Sequence, residues 1–523
     1  MTDRFDPRIE EQPPQTRTVL FFSDNGVGLG HLTRLMAVAN QANERFQPVF
    51  LTMSLGYQLL REAGIPSEFF PAYHQLGLSR AEWLPLLSGR MSQAIAQAGA
   101  RVVVVDHVLP PSTFRELHTR FPDVLFVWSS RGLWRAGKNK GAPAISEAFD
   151  VIVEPGDLAA PIDNGASASR WSDVLSIRPV VLVQPDEYLT RDEARKALGI
   201  PQDGRAILIN LNDSSSEPLS ALIEHVSQTI RSAAKDEDIH LFAPLHPLLG
   251  DSLDVGHDVI QASVYPLAAC FKAFDGAVSN AGYNSFHELV VSGLPAVFVP
   301  HAGTNVDDQE RRARFADLSG RAFWAPKVRS EHFRRAVERM LRPGEGEISS
   351  ATAEEFGAMT GAAEFADFLA ERAVDLGDQA PEFDQASSPR ENPGETPIIR
   401  SGRNLHDTTV SPSEPVLLSA IEYQAQELEG LAVEVARLQA AQPSLTPVFM
   451  IKGSPQALVG HGFAFESVMT EPEWSLMRVD IDYSGYLLRR VQSMLSRYGT
   501  DHLVEVTPGR SIESQMPRAI TNR

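Results

Sequence analysis

A histidine and an aspartate each follow an apolar run of the chain, in positions where they could do acid–base chemistry. His31 ends the glycine-containing loop 23–31, which comes after the apolar run Val19–Ser23 and opens a helical pattern. Asp106 directly follows the run Val102–Val105. Because the carboxyl ends of parallel strands share one edge of a sheet, we expect both side chains to face one crevice. The positive helix end should lower the pKa of His31, which would then accept a proton while Asp106 orients the ring. The alternative interpretation is that both residues cap helices.

The glycine loop differs from the dinucleotide-binding fingerprint. If Gly26 and Gly28 are its first two glycines, His31 stands at the position of the third. The second apolar run ends in Thr-Met-Ser at 52–54, which offers no acid to a ribose. The pattern therefore disfavours an NAD site, although the backbone of such a loop can approach an anion or a sugar.

A second strand-to-helix turn, at 279–288, carries polar residues suited to a diphosphate. Gly282 permits close approach of a ligand to the backbone, and Asn284 and Ser285 place donors at the start of a helix. A diphosphate is stabilised there without a metal ion. Glu288 lies one to two turns into the helix, where its carboxylate could accept both hydroxyls of a ribose.

A third polar group follows the apolar run Val297–Val299. Pro300 opens a loop that carries Asp307, Asp308 and Gln309. Carboxylate and amide side chains supply the acceptors and donors that sugar hydroxyls need. The loop is therefore a candidate for sugar recognition.

Two Asp-x-Asp sequences, at 236–238 and 480–482, have the spelling of motifs that chelate a divalent cation across a diphosphate. The first falls at a helix-to-strand turn, and the second lies in a region without a further motif. Solvated acids are the better interpretation of both. We predict no metal site and no cofactor.

These residues are positioned by short apolar runs that alternate with longer amphipathic stretches. Continuous apolar runs predict strands buried on both faces, and the amphipathic stretches predict helices between them. The runs of the first series are Val19–Ser23, Val49–Met53, Val102–Val105, Val124–Trp128 and Val151–Glu154, and those of the second are Ile207–Leu211, His240–Ala243, Val259–Ala262, Ala277–Ser279 and Ala296–Val299. The sequence therefore predicts an α/β protein with two doubly wound, Rossmann-like domains.

The boundary between these domains is expected near residue 185, which gives domains at 18–185 and 186–378. Val180–Gln184 is typical of a last strand in the first domain. Thr190 is the expected N-cap of a helix over Arg191–Leu198.

The remaining segments are a polar leader, a linker and a tail. Residues 1–17 predict a flexible leader, and residues 379–413, rich in Pro, Ser, Asn, Asp and Glu, predict a disordered linker. Residues 414–523 predict an amphipathic helix followed by a small α/β accessory region.

The helix expected over Ser413–Ala440 carries a seam with spacings of four and three. The seam residues are Leu417, Ile421, Gln424, Leu428, Leu431, Val435 and Leu438. A seam of this kind fits a helix packed on its own chain and equally a two-chain coil, which would make the protein a homodimer through 414–440. Further on, Pro447–Ile451 and Leu503–Val506 predict strands, and Tyr483–Tyr498 predicts a helix.

Composition excludes several classes of protein. The chain has 523 residues and a net charge of −20, which disfavours a general nucleic-acid binder. Its single cysteine, Cys270, allows neither an intramolecular disulfide nor a cysteine-based zinc site. No apolar run approaches 18 residues, and the N-terminus lacks an apolar secretory segment. We expect a cytoplasmic protein.

Two stretches leave alternatives open. The basic loop 131–140 has four cationic side chains around Trp134 and is either a contact for a phosphorylated acceptor or a solvated loop. The stretch Phe69–Leu87 is either a core helix or a patch that touches a membrane peripherally.

The two chemistry-bearing turns together resemble a known family. The second turn and the segment after it read Gly-Tyr-Asn-Ser-x-x-Glu, then Gly-Leu-Pro, a strand, Pro and Asp-Gln. This order is similar to the donor-binding signature of GT-B glycosyltransferases, in particular the MurG-like enzymes of family 28 and the wider UDP-glycosyltransferases. The Gly-x-Gly-His loop resembles their N-terminal signature. The resemblance covers roughly residues 18–375.

The resemblance implies a metal-independent, inverting transfer of a sugar from a nucleotide-sugar donor, expected to be a UDP-sugar, to an acceptor hydroxyl. Gly28, Gly30 and His31 would line the acceptor side, with His31 as the base. The resemblance implies that Gly282, Asn284 and Ser285 hold the diphosphate and that Glu288 binds the ribose. It implies that Asp308 and Gln309 hold the donor sugar, and that Val264 and Tyr265 contact the edge of the nucleobase. The alternatives are a nucleotide-sugar epimerase or hydrolase on the same fold and a non-catalytic scaffold subunit.

Overall fold

The structure is a computed structural model. The residues that it describes are 17–23, 29–106, 111–138, 145–165, 167, 174–212, 217–235, 237–245, 253–256, 258–301, 306–342, 360–376, 414–477, 479 and 481–516. The predicted leader lies outside the described residues except for Arg17, and the predicted linker 379–413 lies wholly outside them.

The first domain is built on a parallel sheet of seven strands in the order β3-β2-β1-β4-β5-β6-β7. The strands are β1 (Arg17–Ser23), β2 (Phe46–Thr52), β3 (Ser67–Phe69), β4 (Val102–Asp106), β5 (Leu125–Ser129), β6 (Val151–Pro155) and β7 (Val174–Ile177). The helices between them are α1 (Gly30–Asn40), α2 (Tyr57–Glu62), α3 (Arg80–Ala98) and α4 (Pro111–Arg120). The strand order reverses between β1 and β4, so the loops that follow these two strands border the same crevice.

The second domain repeats this architecture with six parallel strands in the order β10-β9-β8-β11-β12-β13. The strands are β8 (Arg205–Asn210), β9 (Ile239–Leu245), β10 (Val259–Ser263), β11 (Gly276–Ser279), β12 (Ala296–Phe298) and β13 (Phe323–Trp324). The helices are α5 (Arg191–Leu198), α6 (Leu219–Ala234), α7 (Tyr283–Ser292), α8 (Gln309–Leu318) and α9 (Glu331–Leu341). Two doubly wound α/β domains confirm the predicted fold class. Thr190 caps α5, since its side chain accepts a hydrogen bond from the Glu193 N–H.

The chain crosses between these domains twice, whereas the sequence predicts a single boundary near residue 185. The segment Val180–Gln184 is not a strand, because β7 already forms the sheet edge and Val180 makes only an isolated antiparallel bridge to Thr360. The helix α10 (Gly361–Asp375) was assigned to the second domain, but its apolar face packs on α1, β1 and β4 of the first. At this crossing a Cβ on Gly361 would lie 1.9 Å from the Arg178 carbonyl oxygen, so the close approach requires glycine.

The tail forms a third domain around a four-stranded parallel sheet in the order β16-β15-β14-β17. The strands are β14 (Glu414–Ser419), β15 (Leu445–Ile451), β16 (Ala464–Ser467) and β17 (Leu503–Glu505). The helices are α11 (Ala425–Ala441), α12 (Gln456–His461), α13 (Glu471–Ser475), α14 (Tyr483–Tyr498) and α15 (Ile512–Gln515). The domain shares a hydrophobic core with the first domain.

The long heptad helix predicted over Ser413–Ala440 is wrong in its first part. Leu417 lies in β14, a central strand of the third sheet, and Ile421 lies in the turn that follows it. The later seam residues Leu428, Leu431 and Val435 are on α11, and they are buried in the chain's own core. These seam residues therefore pack within their own chain, which is the first of the two alternatives.

The stretch Phe69–Leu87 is likewise part of a core. Trp83, Leu86 and Leu87 on α3 are at most 5 % exposed and belong to the apolar core that the first and third domains share. The lipid-facing alternative is therefore wrong for these side chains. Within the described parts of the chain, every helix is too short or too polar to cross a bilayer.

Candidate active site

A cleft of about 580 Å³ lies between the carboxyl edges of the first two sheets. Its first-domain wall contains the start of α1 and Arg131, which follows β5. Its second-domain wall contains the start of α7, residues 264–267, and the loop before α8. A cleft of this volume is in the range that encloses small-molecule substrates. The switch points of the two sheets thus border one common space.

His31 lines the first-domain wall of the cleft and meets Asp106, but Asp106, which was also expected to face the crevice, is not among the residues that line it. His31 Nδ1 lies 2.7 Å from Asp106 Oδ1. Arg34, three residues after His31 and on the same face of α1, adds a bidentate pair, with its Nε 3.0 Å from Asp106 Oδ2 and its Nη2 3.0 Å from Oδ1. Ser129 Oγ also donates to Oδ2, at 3.4 Å. The carboxylate is therefore held on several sides and cannot turn away from the histidine.

The charges of this group fix the tautomer of His31. Burial alone would raise the pKa of Asp106, but the Arg34 guanidinium and His31 hold it well below its usual range. An ionised carboxylate can only accept, so His31 Nδ1 donates to it and Nε2 is left as an acceptor. Burial is the main cause that lowers the pKa of His31, and Asp106 opposes it. The neutral imidazole was expected from the helix end, whereas desolvation in the cleft wall is the larger cause.

Across the cleft, α7 begins without a side-chain cap. Gly282 is its N-cap residue and offers no hydrogen-bonding side chain to the first N–H groups of the helix. Asn284 Nδ2 donates to the Gly30 carbonyl across the cleft at 3.3 Å, while Asn284 Oδ1 is buried and accepts no hydrogen bond from any described residue. Ser285 Oγ lies 3.4 Å from Asn210 Nδ2 at the end of β8. This helix start is therefore a ready anion site.

Glu288 lines the same cleft one turn further into α7. Burial raises the pKa of its carboxyl to about 8. Among the described residues it has no ion-pair partner, so it is largely protonated at neutral pH in the free protein. A carboxyl of this kind gains most from a ligand that brings hydrogen-bond donors.

Val264 and Tyr265 line the cleft between β10 and the turn that follows. The Tyr265 side chain does not stay in its own domain, since its hydroxyl lies 3.0 Å from Thr33 Oγ1 on α1. Tyr265 precedes Pro266 through a cis peptide bond. Tyr265 thus joins the two walls of the cleft, a role that the sequence did not indicate.

In the loop before α8, the residue that lines the cleft is one position earlier than predicted. Asp308, predicted to hold a donor sugar, is the N-cap of α8, accepts from the Arg311 N–H at 3.2 Å, and is not among the residues that line the cleft. Asp307 lines the cleft instead, 2.9 Å from Arg312 and 3.5 Å from Arg131. Gln309 also lines it and accepts from the His301 N–H at 2.9 Å.

The basic loop of the first domain closes one end of the cleft. The Arg135 N–H donates to the Val306 carbonyl at 2.7 Å, and the Asp308 N–H donates to the Leu133 carbonyl at 3.1 Å. Trp134 is 5 % exposed and forms an antiparallel bridge with Asp307. This part of the loop is therefore an interdomain contact rather than a solvated segment.

A buried network behind α7 also joins the domains. Arg312 is fully buried and pairs with Asp157 of the first domain at 2.9 Å. His287 Nε2 accepts from the Leu158 N–H at 3.1 Å, and burial lowers its pKa to about 4. Tyr283 donates through its hydroxyl to the Gly156 carbonyl at 2.8 Å. No sequence signal indicated these contacts, because the paired residues are more than 100 positions apart.

Several predicted positions fall outside the described residues. They are Gly28 of the acceptor-side loop and Asp236 and Asp480 of the Asp-x-Asp sequences. Gly30 is described, and it lines the cleft as the first residue of α1. Over the described residues, no group of three or more His, Cys, Asp or Glu side chains is arranged to hold a metal ion.

Comparisons with known proteins place these features in context. No protein-family model matches the chain. The chain is 25% identical over 300 residues to the UDP-N-acetylglucosamine–N-acetylmuramyl-(pentapeptide) pyrophosphoryl-undecaprenol N-acetylglucosamine transferase of Clavibacter sepedonicus, covering 54% of this chain and 77% of the relative. The enzyme of the same name from Salinibacter ruber is 29% identical over 139 residues, which are 25% of this chain and 36% of that protein. The chain thus spans about a third of the length of this second relative.

Solved structures also match the chain, at low identity. MurG of Acinetobacter baumannii superposes with a TM-score of 0.43 and 14% identity, over 69% of this chain and 99% of that one. The calicheamicin glycosyltransferase CalG4 gives a TM-score of 0.47 and 16% identity, over 70% and 100%.

Proposed function

We propose that this chain, a homologue of the MurG-like glycosyltransferases with their two-domain GT-B architecture, transfers a sugar from a nucleotide-sugar donor to a hydroxyl group of an acceptor. The observation that carries the proposal is the pairing of the two walls of the cleft. A neutral histidine backed by an ionised aspartate faces, across one space, an uncapped helix start. The first can take a proton and the second can receive a diphosphate.

His31 is the proposed base. Its Nε2 would take the proton from the acceptor hydroxyl while the acceptor oxygen forms a bond to the anomeric carbon of the sugar. The positive charge that develops on the imidazole is stabilised by Asp106, which lies 2.7 Å from Nδ1. Attack from the side opposite the leaving group would invert the configuration at that carbon.

The start of α7 is the proposed site for the leaving group. As the bond between the anomeric carbon and the diphosphate breaks, the electron pair stays on the diphosphate oxygen. Free N–H groups after Gly282, together with the side chains of Asn284 and Ser285, would stabilise this growing charge without a metal ion. The stabilisation is strongest in the transition state, so it lowers the barrier.

The proposed donor is a UDP-sugar, in line with the UDP-N-acetylglucosamine in the names of the relatives. Glu288 would accept hydrogen bonds from the ribose hydroxyls, and the backbone at Val264 and Tyr265 would contact the base. Gln309 remains a proposed contact of the donor sugar, and Asp307 takes the place proposed earlier for Asp308, because Asp307 lines the cleft.

The proposed compartment is the cytoplasm, in keeping with a chain whose single cysteine can form no intramolecular disulfide. The acceptors named for the relatives are lipid-linked, so a lipid-linked acceptor and a peripheral membrane contact are the first to be tested.

The proposal is tested by calorimetry with UDP, GDP and dTDP, followed by turnover with a panel of the corresponding sugars. We expect UDP to bind most tightly and the free UDP released to match the glycosylated product formed. Release of free sugar without an acceptor product would indicate a hydrolase instead. Absence of binding by every nucleotide at millimolar concentration would contradict the proposed function.

A further inference from the structure

The third domain has the topology of the first half of the first domain. Its sheet order β16-β15-β14-β17 corresponds to β3-β2-β1-β4, with the same chain direction, the same parallel pairing and the same succession of strands. In both, one helix follows the first strand, a six-residue helix follows the second, and a long helix precedes the fourth. The correspondence covers residues 17–106 and 414–506.

The registers of the two sheets agree residue by residue. In the first domain Val19 pairs with Pro48, and in the third Val416 pairs with Pro447. Both partner strands continue from that proline with the same sequence, Pro-Val-Phe. A one-residue slip would reverse the faces of every side chain, so this agreement is a specific one.

The same register aligns two buried glutamates. Leu51 pairs with Glu68 on the edge strand of the first sheet, and Met450 pairs with Glu466 on the edge strand of the third. Both carboxylates are at most 3 % exposed. A buried acid at the same position of an edge strand is rare unless it is paired, and both of these are paired with arginine.

The long helices supply the matching arginines. α3 ends at Gly99 and α14 ends at Gly499, each in the left-handed conformation that favours glycine, with φ of 58° and 60°. Nine residues before each glycine stands a fully or almost fully buried arginine, Arg90 in one helix and Arg490 in the other. Arg90 pairs with Glu68, and Arg490 Nη2 pairs with Glu466 at 2.8 Å.

The two units pack against each other through equivalent residues. Gln93 and Ser493, each six residues before its glycine, form a side-chain hydrogen bond. The Phe69 N–H donates at 2.6 Å to Ser467 Oγ, and these two residues each follow the aligned glutamate. In a two-fold interface the residues near the axis meet their own counterparts. The contact therefore has the form of a symmetric dimer made within one chain.

The core between the units has the same symmetry. The cluster contains three residues of the first domain beside their counterparts in the third, namely Leu20, Val49 and Leu51 beside Leu417, Val448 and Met450. At its centre Arg490 lies 3.4 Å from Glu68 of the other unit, and Arg497 pairs with its own Glu466. Each unit thus supplies apolar surface and charge that the other needs.

The chemistry of the first domain is missing from the third. Residues 103 and 503 are equivalent, since they pair with Leu20 and Leu417 of the two first strands. Three residues further on, the first unit has Asp106 and the third domain has Val506. The loop after β14, Ala420–Gln424, contains neither glycine nor histidine. The second unit keeps the packing face and has no counterpart of the proposed base.

We propose that residues 414–506 are an internal copy of residues 17–106, which occupies within one chain the face that a second molecule would occupy in a symmetric dimer. The copy covers the edge strand β3, which would otherwise expose unpaired backbone groups. Its function is to stabilise the first domain, and its described residues include no counterpart of the proposed base. This proposal is independent of the reaction that the cleft performs.

A crosslink in the full chain tests the seating of the copy. In a Cys270→Ser background, Gln93→Cys with Ser493→Cys should oxidise to a disulfide that leaves the protein monomeric on a non-reducing gel. The matched control joins Gln93→Cys to Ser514→Cys on α15, which packs on α11 at the opposite face of the third sheet, and should not crosslink. Absence of the disulfide, or a disulfide formed only between two chains, would overturn the proposal.

Matched substitutions of the two aligned glutamates test whether the two units are equivalent. Glu68→Gln and Glu466→Gln should each lower the Tm by several degrees and by similar amounts, within one unfolding transition shared by both units. Glu371→Gln, an exposed position on α10, serves as the control and should leave the Tm within about a degree. Two separate transitions, of which only one responds to Glu466→Gln, would show independent domains and contradict the proposal.

Discussion

The two walls of the cleft differ in how far their polar groups are already satisfied. On the first-domain wall, the Asp106 carboxylate is bonded to His31, Arg34 and Ser129. On the second-domain wall, Asn284 Oδ1 has no hydrogen-bond partner among the described residues, and the Glu288 carboxyl is held neutral by burial. The difference teaches that the proposed proton acceptor is arranged in advance, whereas the groups of the opposite wall are left for a ligand that brings its own donors and charge.

The largest effect that we expect is the loss of turnover when His31, on the first-domain wall, is replaced. His31→Ala should lower kcat by about 10²–10⁴-fold, because the general base is lost, while the Kd for UDP changes little. Turnover and calorimetry on the same sample measure the two quantities. His118 makes a similar pair with Asp150 at 2.9 Å on the surface, so His118→Ala is the matched control. Unchanged turnover in His31→Ala would remove the base assignment.

A somewhat smaller loss is expected from Asp106→Asn. The amide keeps the shape of the carboxylate but can donate to Nδ1, which favours the tautomer that has no acceptor at Nε2. We expect kcat to fall by about 10²-fold with UDP affinity retained. Asp150→Asn is the control. A fall in UDP affinity that matches the fall in kcat would place Asp106 in the support of the cleft rather than in proton transfer.

On the second wall the expected effect is on binding. Glu288→Gln should raise the Kd for UDP by about tenfold, because hydrogen bonds from the ribose to a charged acceptor are lost. The turnover at saturating donor should change by less than the affinity. Glu224→Gln, at an exposed position on α6, is the control. A UDP affinity equal to that of the control would exclude Glu288 from the donor site.

The pKa of Glu288, raised to about 8 by burial, gives this wall its own pH dependence. A ligand that binds the ionised carboxyl must first displace its proton, so affinity increases as the pH rises through 8. Between pH 7 and pH 9 the Kd for UDP should fall by about tenfold in the wild type and stay flat in Glu288→Gln. Equal slopes in the two proteins would assign the pH dependence to another group.

The smallest expected effect concerns Arg34. The guanidinium lowers the pKa of His31, so Arg34→Met should move the acid limb of kcat/KM to higher pH and lower the plateau by roughly threefold. Arg34→Lys keeps the charge and should keep the acid limb in place. A shift of equal size in both variants would indicate loss of packing, since Arg34 also lies 5.3 Å from the Tyr283 ring.

The parts of the molecule that the sequence predicted are those specified by neighbouring residues. A buried strand, a glycine turn and a helix start are encoded within about ten positions, so both chemistry-bearing turns were located and brought to one cleft. Arg34 was missed although it stands three residues after His31 on the same helical face, which was a usable signal.

The errors arise where the outcome depends on distant packing or on helix phase. Asp307 and Asp308 are equally suited to a sugar, and only the position of the α8 N-cap decides which one faces the cleft. Leu417 fits a heptad by its spacing, but the adjacent apolar residues place it in β14. The amphipathic face of α10 carries no information about which domain it covers, and the internal copy shares too few identical residues with its counterpart to be read from sequence.

The bridge between Val180 and Thr360 has a mechanical consequence for the molecule as a whole. The polypeptide passes from one lobe to the other at two places, and these two connections lie side by side. If one lobe rotated against the other, the backbone would have to bend at this one place, which is the arrangement expected of a hinge. Any widening of the cleft by such a rotation would have to break the contacts that join its walls, among them Leu133 with Asp308 and Thr33 with Tyr265, while the connection itself stays intact.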